Sequence, residues 1–365
     1  MAARARKIDR FFLTTTLVLT CFGFIAFLSA SLGLLAQSNA SFASIALKQL
    51  ISLVIGLVAF YTLSKLNYSW IRRIALPIFI GSILVNLLLF VPQLSIFHGG
   101  ASRWLDIGFI SFQPSELLKF AFIIYLAAWI HFAKDRIKTF KFGLLPYLII
   151  MTILGALLLV QSDTDTLVII AGTGIVMLIV AGVPWKHILI SLAILGVLVG
   201  GVIYARPYAL KRVMTFFNKS EDVRGAGYQI NQSLIAIGSG ELTGRGAGQS
   251  IQKFGYLPQP TDDSIFAVVA EEFGFIGSTL LILLYLAFVS SIFRIGTRSE
   301  DKFGAFLAIG VGILIITESF MNMAAMLGLL PLSGVPLLFV SHGGTALIIT
   351  LASTGIVANV SKRIS

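Results

Sequence analysis

The residues best suited to chemistry are two adjacent carboxylates, Asp262 and Asp263, which follow a turn that contains Pro258 and Pro260. A long apolar run begins directly after them, so the sequence predicts that a helix starts here. Either aspartate could accept hydrogen bonds from the free N–H groups of that helix as an N-cap. Capping accounts for one carboxylate but not obviously for two. The predicted helix is longer than the hydrocarbon core of a bilayer, so Asp263 at its start can protrude at the membrane interface.

A second set of polar residues, Arg103, Trp104, Glu116 and Lys119, lies at the junction between two apolar segments. Charged groups are costly in hydrocarbon, so charges at membrane depth usually serve a function. Alternatively, they belong to an interfacial loop whose charges face water and whose tryptophan joins an aromatic belt. Glu116 and Lys119 are three residues apart and share a helix face, which predicts either a local ion pair or the lining of a polar cavity.

Further polar candidates occur later in the chain. Arg245 lies in the glycine-rich run 238–248, which could bind an anion through free N–H groups but could equally form a tight turn. Glu271 lies deeper than Asp263 on the same predicted helix, and Ser341 and His342 begin the last apolar segment. The histidines show no metal-ligand spacing, so the sequence predicts no structural metal site.

The amino-acid composition indicates which class of protein carries these residues. Of the 365 residues, 57% are hydrophobic and 12% are charged, whereas soluble domains have about 25% charged residues. The sequence therefore predicts an all-α, multi-pass membrane protein without a separate soluble domain. Runs of about 20 apolar residues can cross a bilayer as helices. The ten candidate segments are 12–36, 48–64, 71–92, 114–133, 143–160, 165–183, 187–205, 263–293, 303–326 and 338–360.

The distribution of charge predicts the orientation of these segments. Most of the 27 Lys and Arg residues are cytoplasmic if the N-terminus is cytoplasmic, as the positive-inside rule requires. This places both termini in the cytoplasm and a long loop, 206–262, outside, between the seventh and eighth helices of a single domain, 1–365. The candidate site residues gather on that outer side. The net charge of +11 therefore reflects membrane orientation, and no nucleic-acid partner is expected.

Several segments together resemble the SEDS family of bacterial cell-wall synthesis, which includes FtsW and RodA. They are GGASRW (99–104), FQPSELLK (112–119), QSDTDT (161–166), YQINQSLIAIGSGELTGRGAGQS (228–250), YLPQPTDDSIFAVVAEEFGFIG (256–277) and GLLPLSGVPLLFVSHGGTALI (328–348). Their order matches that of the family, and the run 244–256 is closer to FtsW than to RodA. The chain departs from the usual family pattern at Ser162, Asp165, Ser264 and His342.

The resemblance implies a peptidoglycan glycosyltransferase that polymerises lipid II on the outer face of the bacterial cytoplasmic membrane. The catalytic aspartate of the family aligns with Asp263, which would act as general base on the attacking sugar hydroxyl. Arg103, Lys119 and Arg245 would meet the pyrophosphate of the substrate, and a divalent cation such as Mg²⁺ or Mn²⁺ could bridge pyrophosphate and carboxylate. The remaining expected substrate-binding residues are Trp104, Glu116, Glu271, Ser341 and His342.

The resemblance also implies partners and a location. A transpeptidase of the class B penicillin-binding type, other divisome proteins and membrane lipid are the expected partners, and the division septum is the expected location. Two other activities stay open: a lipid II flippase, which needs polar residues through the full membrane depth, and an elongation-type polymerase like RodA. A scaffold that only recruits partners would leave Asp263 and Lys119 dispensable.

Overall fold

A computed structural model of the chain describes residues 7–36, 42–98, 101–106, 108, 111–205, 207–217 and 225–363. Helices dominate this part of the chain. They are α1 (Arg10–Ser31), α2 (Phe42–Lys65), α3 (Tyr68–Arg73), α4 (Ala75–Leu87), α5 (Pro114–Ala133), α6 (Leu145–Val160), α7 (Thr164–Val180), α8 (Trp185–Ala205), α9 (Pro207–Phe217), α10 (Ala226–Ser239), α11 (Ile265–Arg298), α12 (Lys302–Met326) and α13 (Gly344–Ser361). Short 3₁₀ turns extend α1 and α4, and a 3₁₀ turn followed by a π turn joins α5 to α6.

The apolar helices agree with the predicted segments. Within the described residues, seven helices are long and apolar enough to cross a membrane, and three shorter apolar helices span Ala75–Phe90, Thr164–Val180 and Trp185–Gly201. Each of the ten predicted segments overlaps one of these helices. The predicted all-α, multi-pass membrane fold is therefore confirmed, while the number of crossings and the side of each loop stay predictions.

The structure corrects the start of the last predicted segment and adds detail to the predicted loop. The last helix begins at Gly344 rather than at residue 338, because Val340 and Ser341 close a turn on the carbonyl oxygen of Leu337. The segment 206–262, predicted as the long outer loop, contains α9 and α10, and its side of the membrane stays a prediction. Arg206 and residues 218–224 of that segment lie outside the described residues.

A small antiparallel sheet lies between α4 and α5, where the sequence predicts only a junction. Its strands, β1 (Ser95–His98), β2 (Ala101–Asp106) and β3 (Ser111–Phe112), are hydrogen-bonded in the order β1-β2-β3. Leu105 of β2 pairs with Ser95 on one side and with Phe112 on the other, and a bulge follows Ile96. The sheet gives Arg103 and Trp104 a fixed backbone position at one end of the helical bundle.

Helix α12 lies at the centre of the bundle, where it packs against α5, α7, α11 and α13. Helices in lipid associate mainly through close packing, because lipid tails are as apolar as the side chains. Gly310 shows how close this packing is: a Cβ atom there would lie 2.6 Å from Cγ2 of Ile123 on α5. Any larger residue at position 310 would push α5 away from α12.

The two ends of the bundle are identified by contacts between distant residues. At one end, Arg294 donates to the Asp9 carboxylate at 3.0 Å, and the Asp9 N–H donates to Ser361 Oγ at 3.2 Å. At the other end, Asn322 near the end of α12 donates to the carbonyl oxygen of Asp263 at 2.8 Å. The start of α1 and the end of α13 thus lie together, at the end of the bundle away from Asp263.

Candidate active site

The turn before α11 is held by its own backbone and by a serine. Gln259, with φ of 49°, accepts hydrogen bonds from the N–H groups of Asp262 at 3.2 Å and Ser264 at 3.1 Å. Ser264 Oγ donates to the carbonyl oxygen of Pro258 at 2.8 Å. Ser264 occupies the N-cap position, and no side chain caps the helix there. Neither aspartate is therefore an N-cap, which removes the simplest structural explanation for Asp263.

Asp263 is half-buried, and its backbone is fixed from α12. The amide of Asn322 donates to the carbonyl oxygens of Asp263 and Val335, each at 2.8 Å. A Cβ atom on Gly334 would lie 3.7 Å from Asp263 Oδ2 and 3.9 Å from an Arg212 guanidinium nitrogen. The absence of a side chain at Gly334 thus leaves space beside both the carboxylate and the guanidinium.

The electrostatic surroundings of Asp263 raise its pKa to about 7. Burial is the largest cause, because it disfavours the charged form, and the charge of Asp262 adds to it. The positive charge of Arg212 acts in the opposite direction, as does that of Arg103 more weakly. A carboxyl group with a pKa near neutrality is well matched to general-base catalysis.

Two arginines from different elements converge on this region. Arg212 on α9 forms an ion pair with Asp165 at the start of α7, with 3.0 Å between Nη1 and Oδ2. Arg103 on β2 donates to the carbonyl oxygen of Ser162 in the turn before α7. The Nε of Arg103 is buried and has no hydrogen-bond partner among the described residues. Both guanidinium groups are thus placed where they could bind an oxyanion.

A cavity of about 210 Å³ opens beside these charges. Its walls are mostly apolar residues of α6, α7, α8 and α12, and its polar lining includes Asp165, Arg212 and Ser333. Ser333 precedes Gly334, which adjoins the Asp263 carboxylate. The cavity therefore leads from an apolar interior to a polar end close to Asp263.

Arg212 is the functional candidate that sequence reasoning missed as a site residue. The signal was present in the sequence, because the apolar Leu210, Met214 and Phe217 recur along one face of α9. Such a pattern is typical of a helix that lies in the membrane interface. Asp165, which departs from the family pattern, is the residue that holds Arg212.

Ser341 and His342 contact the turn before α11, which carries Asp262 and Asp263. Ser341 Oγ donates to the carbonyl oxygen of Asp262 at 2.6 Å, and His342 Nδ1 lies 3.2 Å from Asp262 Oδ1. The imidazole also stacks on Phe27 with 5.6 Å between the ring centroids. These contacts fix Asp262 and so define the position of its neighbour. Trp104, also predicted for the site, is half-buried on β2 opposite Ile96.

Glu116 and Lys119 form a separate, buried charge cluster. Lys119 Nζ lies 2.9 Å from Glu116 Oε1 and 2.6 Å from Glu318 Oε1 on α12. The predicted local ion pair is present, and Glu318 on α12 is a third member of the cluster that was not predicted. At most 5% of each side chain is exposed, so the charge of Lys119 is already matched within the protein.

Glu271 is also enclosed by its own chain. It accepts hydrogen bonds from the N–H of Ile251 at 3.1 Å and of Gln252 at 3.2 Å, and from the Ser250 hydroxyl at 2.5 Å. The Nε of Arg245 lies 3.4 Å from Glu271 Oε1. The two residues therefore meet, but in a contact that holds the loop after α10 onto α11.

The glycine-rich run 238–248 also helps to hold the loop after α10 against α11. Gly274 interrupts α11 with φ of 66° and ψ of −165°, so neighbouring helix groups lose their usual partners. The N–H of Arg245 donates to the carbonyl oxygen of Glu271 at 3.0 Å. The N–H of Phe275 donates to the backbone carbonyl oxygen of Glu241 at 2.8 Å. This use of backbone N–H groups favours the tight-turn interpretation of the run over anion binding. Among the described residues, no cluster of three or more His, Cys, Asp or Glu side chains could hold a metal ion.

Fold and site together define a multi-pass, α-helical membrane protein with an apolar cavity whose polar end contains Arg212 and lies close to the Asp263 carboxylate. The chain belongs to the FtsW/RodA/SpoVE family of cell cycle proteins, whose family model matches residues 9–365. The predicted resemblance is therefore confirmed. The chain is 36% identical over 362 residues to a probable peptidoglycan glycosyltransferase FtsW of Geobacter sp. (strain M18), over 99% of this chain and 98% of that protein.

The fold is also similar to that of solved structures. A chain of a peptidoglycan synthase complex that coordinates polymerization and crosslinking superimposes with a TM-score of 0.79, at 24% identity and over 97% of each chain. The rod shape determining protein RodA of Thermus thermophilus gives a TM-score of 0.71, at 22% identity and over 98% of each chain. At these identities the similarity establishes the membrane fold.

Proposed function

We propose that this protein is a peptidoglycan glycosyltransferase that polymerises lipid II during bacterial cell division. The observation that carries the proposal is the position of Asp263, beside the polar end of an apolar cavity that also contains Arg212. Lipid II is an amphiphile with an isoprenoid tail, a pyrophosphate and a sugar head. The cavity walls suit the tail, the guanidinium groups suit the pyrophosphate, and the carboxylate lies where the sugar would be.

The chemistry follows from these positions. The sugar hydroxyl of one lipid-linked molecule transfers its proton to the Asp263 carboxylate as its oxygen attacks the anomeric carbon of another. The bond from that carbon to the pyrophosphate breaks, and undecaprenyl pyrophosphate leaves with the bonding electrons. Arg212 and Arg103 counter the negative charge on the leaving group, which stabilises the transition state electrostatically.

The distribution of charge within the helices favours an enzyme over a flippase. Between Lys119 and His131 on α5, and between Glu272 and Arg294 on α11, the sequence contains no charged side chain. The stretch of α12 from 303 to 317 is likewise uncharged. The charged side chains of these three helices therefore lie towards the two ends of the bundle, and the helices lack the continuous polar path that a flipped headgroup would need.

The direct test is to incubate the purified protein with lipid II and to measure glycan polymer, with and without a class B penicillin-binding transpeptidase as partner. Formation of glycan polymer would support a glycosyltransferase, whether or not the reaction requires the partner. Lipid II transport across vesicle membranes without polymer would support the flippase instead. The outward orientation of residues 206–262, the cytoplasmic termini and the septal location belong to the same proposal.

The role of Arg212 can be tested within that assay. Loss of a hydrogen bond from a charged donor typically costs about 1.5–3 kcal/mol, so Arg212→Gln should lower polymerisation at limiting lipid II about tenfold or more. Lys211→Gln, next to it on α9, removes the same charge from an exposed position and is the matched control. Equal effects of both variants would indicate a general effect of surface charge.

A further inference from the structure

A basic basin lies at the opposite end of the bundle from Asp263. It has a volume of about 580 Å³ and is lined by Arg72, Arg73, His131, Phe132, Lys134 and Arg136. Arg72 contacts Asp301 just before α12, whereas Asn322, which holds Asp263, lies 21 residues farther along. At 1.5 Å per residue this is about 30 Å, roughly the thickness of the hydrocarbon core. The basin thus belongs to the face that the charge pattern predicts to be cytoplasmic.

The positive charge of the basin is only partly matched. Asp301 Oδ1 lies 3.6 Å from Arg72 Nη1 and 3.8 Å from His131 Nδ1. Within the described part of the chain, no carboxylate lies within ion-pair distance of Arg73 or Lys134. Four cationic side chains and an imidazole line the basin. Even with Asp301 and Asp135, which lies between Lys134 and Arg136 in the sequence, counted against them, a net positive charge is left for an anionic ligand.

The rim of the basin is shaped by local contacts at the end of α5. The guanidinium of Arg136 lies 4.6 Å from the ring centroid of Phe142 and 5.5 Å from that of Phe132, in cation–π geometry. Lys134 has φ of 49°, and this backbone turn redirects the chain immediately after α5. The cations at 134 and 136 are thus placed around the basin by the fold, not scattered along a flexible segment.

We propose that this basin binds the phosphate of an anionic phospholipid in the inner leaflet. Arg and Lys bind phosphate through charge-assisted hydrogen bonds, and basic pockets between membrane helices on the cytoplasmic side are typical lipid headgroup sites. Phe132, which is 59% exposed, provides an apolar wall that a free phosphate ion would not need. The site is separate from the proposed catalytic site and does not depend on lipid II chemistry.

Occupancy should stabilise the assembly of three helices. Asp301 accepts from the N–H of Phe303 at 3.4 Å as the N-cap of α12, and it also faces Arg72 in the last turn of α3 and His131 on α5. A phosphate held beside Arg72 and His131 would reduce the repulsion among the cations at this junction. The expected readout is therefore a higher midpoint of thermal unfolding, Tm, as anionic lipid is added.

The experiment uses the full chain in uncharged maltoside micelles. The Tm is measured while short-chain phosphatidylglycerol, short-chain phosphatidylcholine or inorganic phosphate is titrated. The test variant is Arg73→Gln with Lys134→Gln, and the control is Lys141→Gln with Arg298→Gln, which removes two exposed cations outside the basin. Each cation near a membrane surface contributes about fivefold to affinity for anionic lipid, so the test variant should need about thirtyfold more phosphatidylglycerol for half the Tm shift.

Three outcomes would overturn the proposal. Equal loss in the test and control variants would indicate diffuse attraction to a basic face. An equal Tm shift with inorganic phosphate would indicate a free-anion site, and an equal shift with phosphatidylcholine would indicate a general effect of lipid. If the double variant has a low Tm without lipid, Arg73→Gln and Lys134→Gln are measured singly. Each single variant should then need about fivefold more phosphatidylglycerol, and a wild-type response in both would refute the site.

Discussion

The side-chain amide of Asn322 donates one hydrogen bond to the carbonyl oxygen of Asp263 and a second to that of Val335, both at 2.8 Å. Asn322 is buried and uses both of its N–H groups in this way. The backbone that carries Asp263 is thereby tied to α12 and to the segment before α13. The position of the Asp263 side chain thus depends on backbone contacts, so its carboxylate can be changed without removing the bonds that hold it.

The proposed role of Asp263 as general base can therefore be tested without removing the contacts that hold its backbone. Asp263→Asn keeps the shape of the side chain and removes the proton acceptor, and no side-chain capping bond is lost with it. Polymerisation of lipid II should fall at least about 10²-fold, as is typical when a general base is lost. The Tm should stay close to that of the wild type. The assay measures glycan polymer per folded protein.

Asp262→Asn is the matched control for that experiment. Its side chain contacts His342 at 3.2 Å, a contact that an amide oxygen can keep, so the effect on polymerisation should be small. Equal losses at 262 and 263, or full activity in Asp263→Asn, would contradict the assignment. Glu116 and Glu271 are poor substitutes, because both are buried and bonded to other groups of the chain.

The activity should depend on pH through the same carboxyl group. Asp263 accepts a proton only when it is ionised, and its pKa is raised to about 7. Polymerisation should therefore rise as the pH increases through 7 and should fall about tenfold per unit well below it. Arg212→Gln removes a charge that lowers the Asp263 pKa, so its pH profile should shift to higher pH. A flat profile from about pH 5 to pH 8 would exclude Asp263 as the base.

Stability should change with pH in the opposite direction. The unfolded chain has an aspartate pKa of about 3.9, so between that value and about 7 the folded state binds more protons at Asp263. The stabilising effect is complete below about pH 4 and is lost as the pH rises through 7. Asp263→Asn should therefore gain in Tm relative to the wild type as the pH increases over this range. An unchanged difference in Tm would show that the pKa is not raised.

The sequence predicts the membrane helices well because bilayer thickness fixes the length of an apolar run. It predicts less where the positions depend on distant contacts. Glu318 is 199 residues from Lys119, and nothing near either residue indicates that they meet. Arg212 and Asp165 are 47 residues apart and pair only because α9 folds back towards α7. The β-sheet is short and follows the last turn of α4, so its strands lack a strong alternating pattern.

The buried cluster of Lys119 changes the expectation for Lys119→Ala. Removing the ammonium would leave Glu116 and Glu318 buried beside each other, and breaking such a pair typically costs about 3–5 kcal/mol. The Tm should fall clearly, and polymerisation should fall with the folded fraction. Lys48→Ala removes an exposed lysine and should change neither. A wild-type Tm with lost polymerisation would instead support contact between Lys119 and the substrate pyrophosphate.

A neutral version of the cluster separates its charge from its volume. Replacement of Lys119, Glu116 and Glu318 together by Met removes all three charges, leaves no buried polar group unpaired and keeps similar side-chain sizes. Replacement of a buried ionic cluster in this way is often neutral for stability. The triple variant should therefore recover most of the Tm that Lys119→Ala loses. A triple variant as unstable as the single one would mean that the ionic contacts themselves hold α5 against α12.

The break in α11 predicts a sharp difference between two glycine substitutions. Gly274 has a backbone conformation that is nearly restricted to glycine, and a Cβ atom there would lie 2.3 Å from the nitrogen of Gly244. Gly274→Ala should cost at least about 1–3 kcal/mol of stability. Gly172 on α7 has no atom within 4 Å of an added Cβ, so Gly172→Ala should be neutral or stabilising by about 0.5–1 kcal/mol. Similar Tm values for both variants would contradict the tight attachment of the glycine-rich run.

The orientation in the membrane can be tested with single cysteines. Cys21 is the only cysteine, so Cys21→Ser provides a background without thiols. Leu242 is 66% exposed and lies between α10 and α11, and Thr139 is exposed between α5 and α6. The positive-inside pattern predicts that Leu242→Cys faces outward and Thr139→Cys faces the cytoplasm. A membrane-impermeant thiol reagent should therefore label Leu242→Cys in intact cells, and Thr139→Cys only after permeabilisation. The reverse pattern would place Asp263 on the cytoplasmic side, where polymerisation of lipid II outside the membrane could not use it.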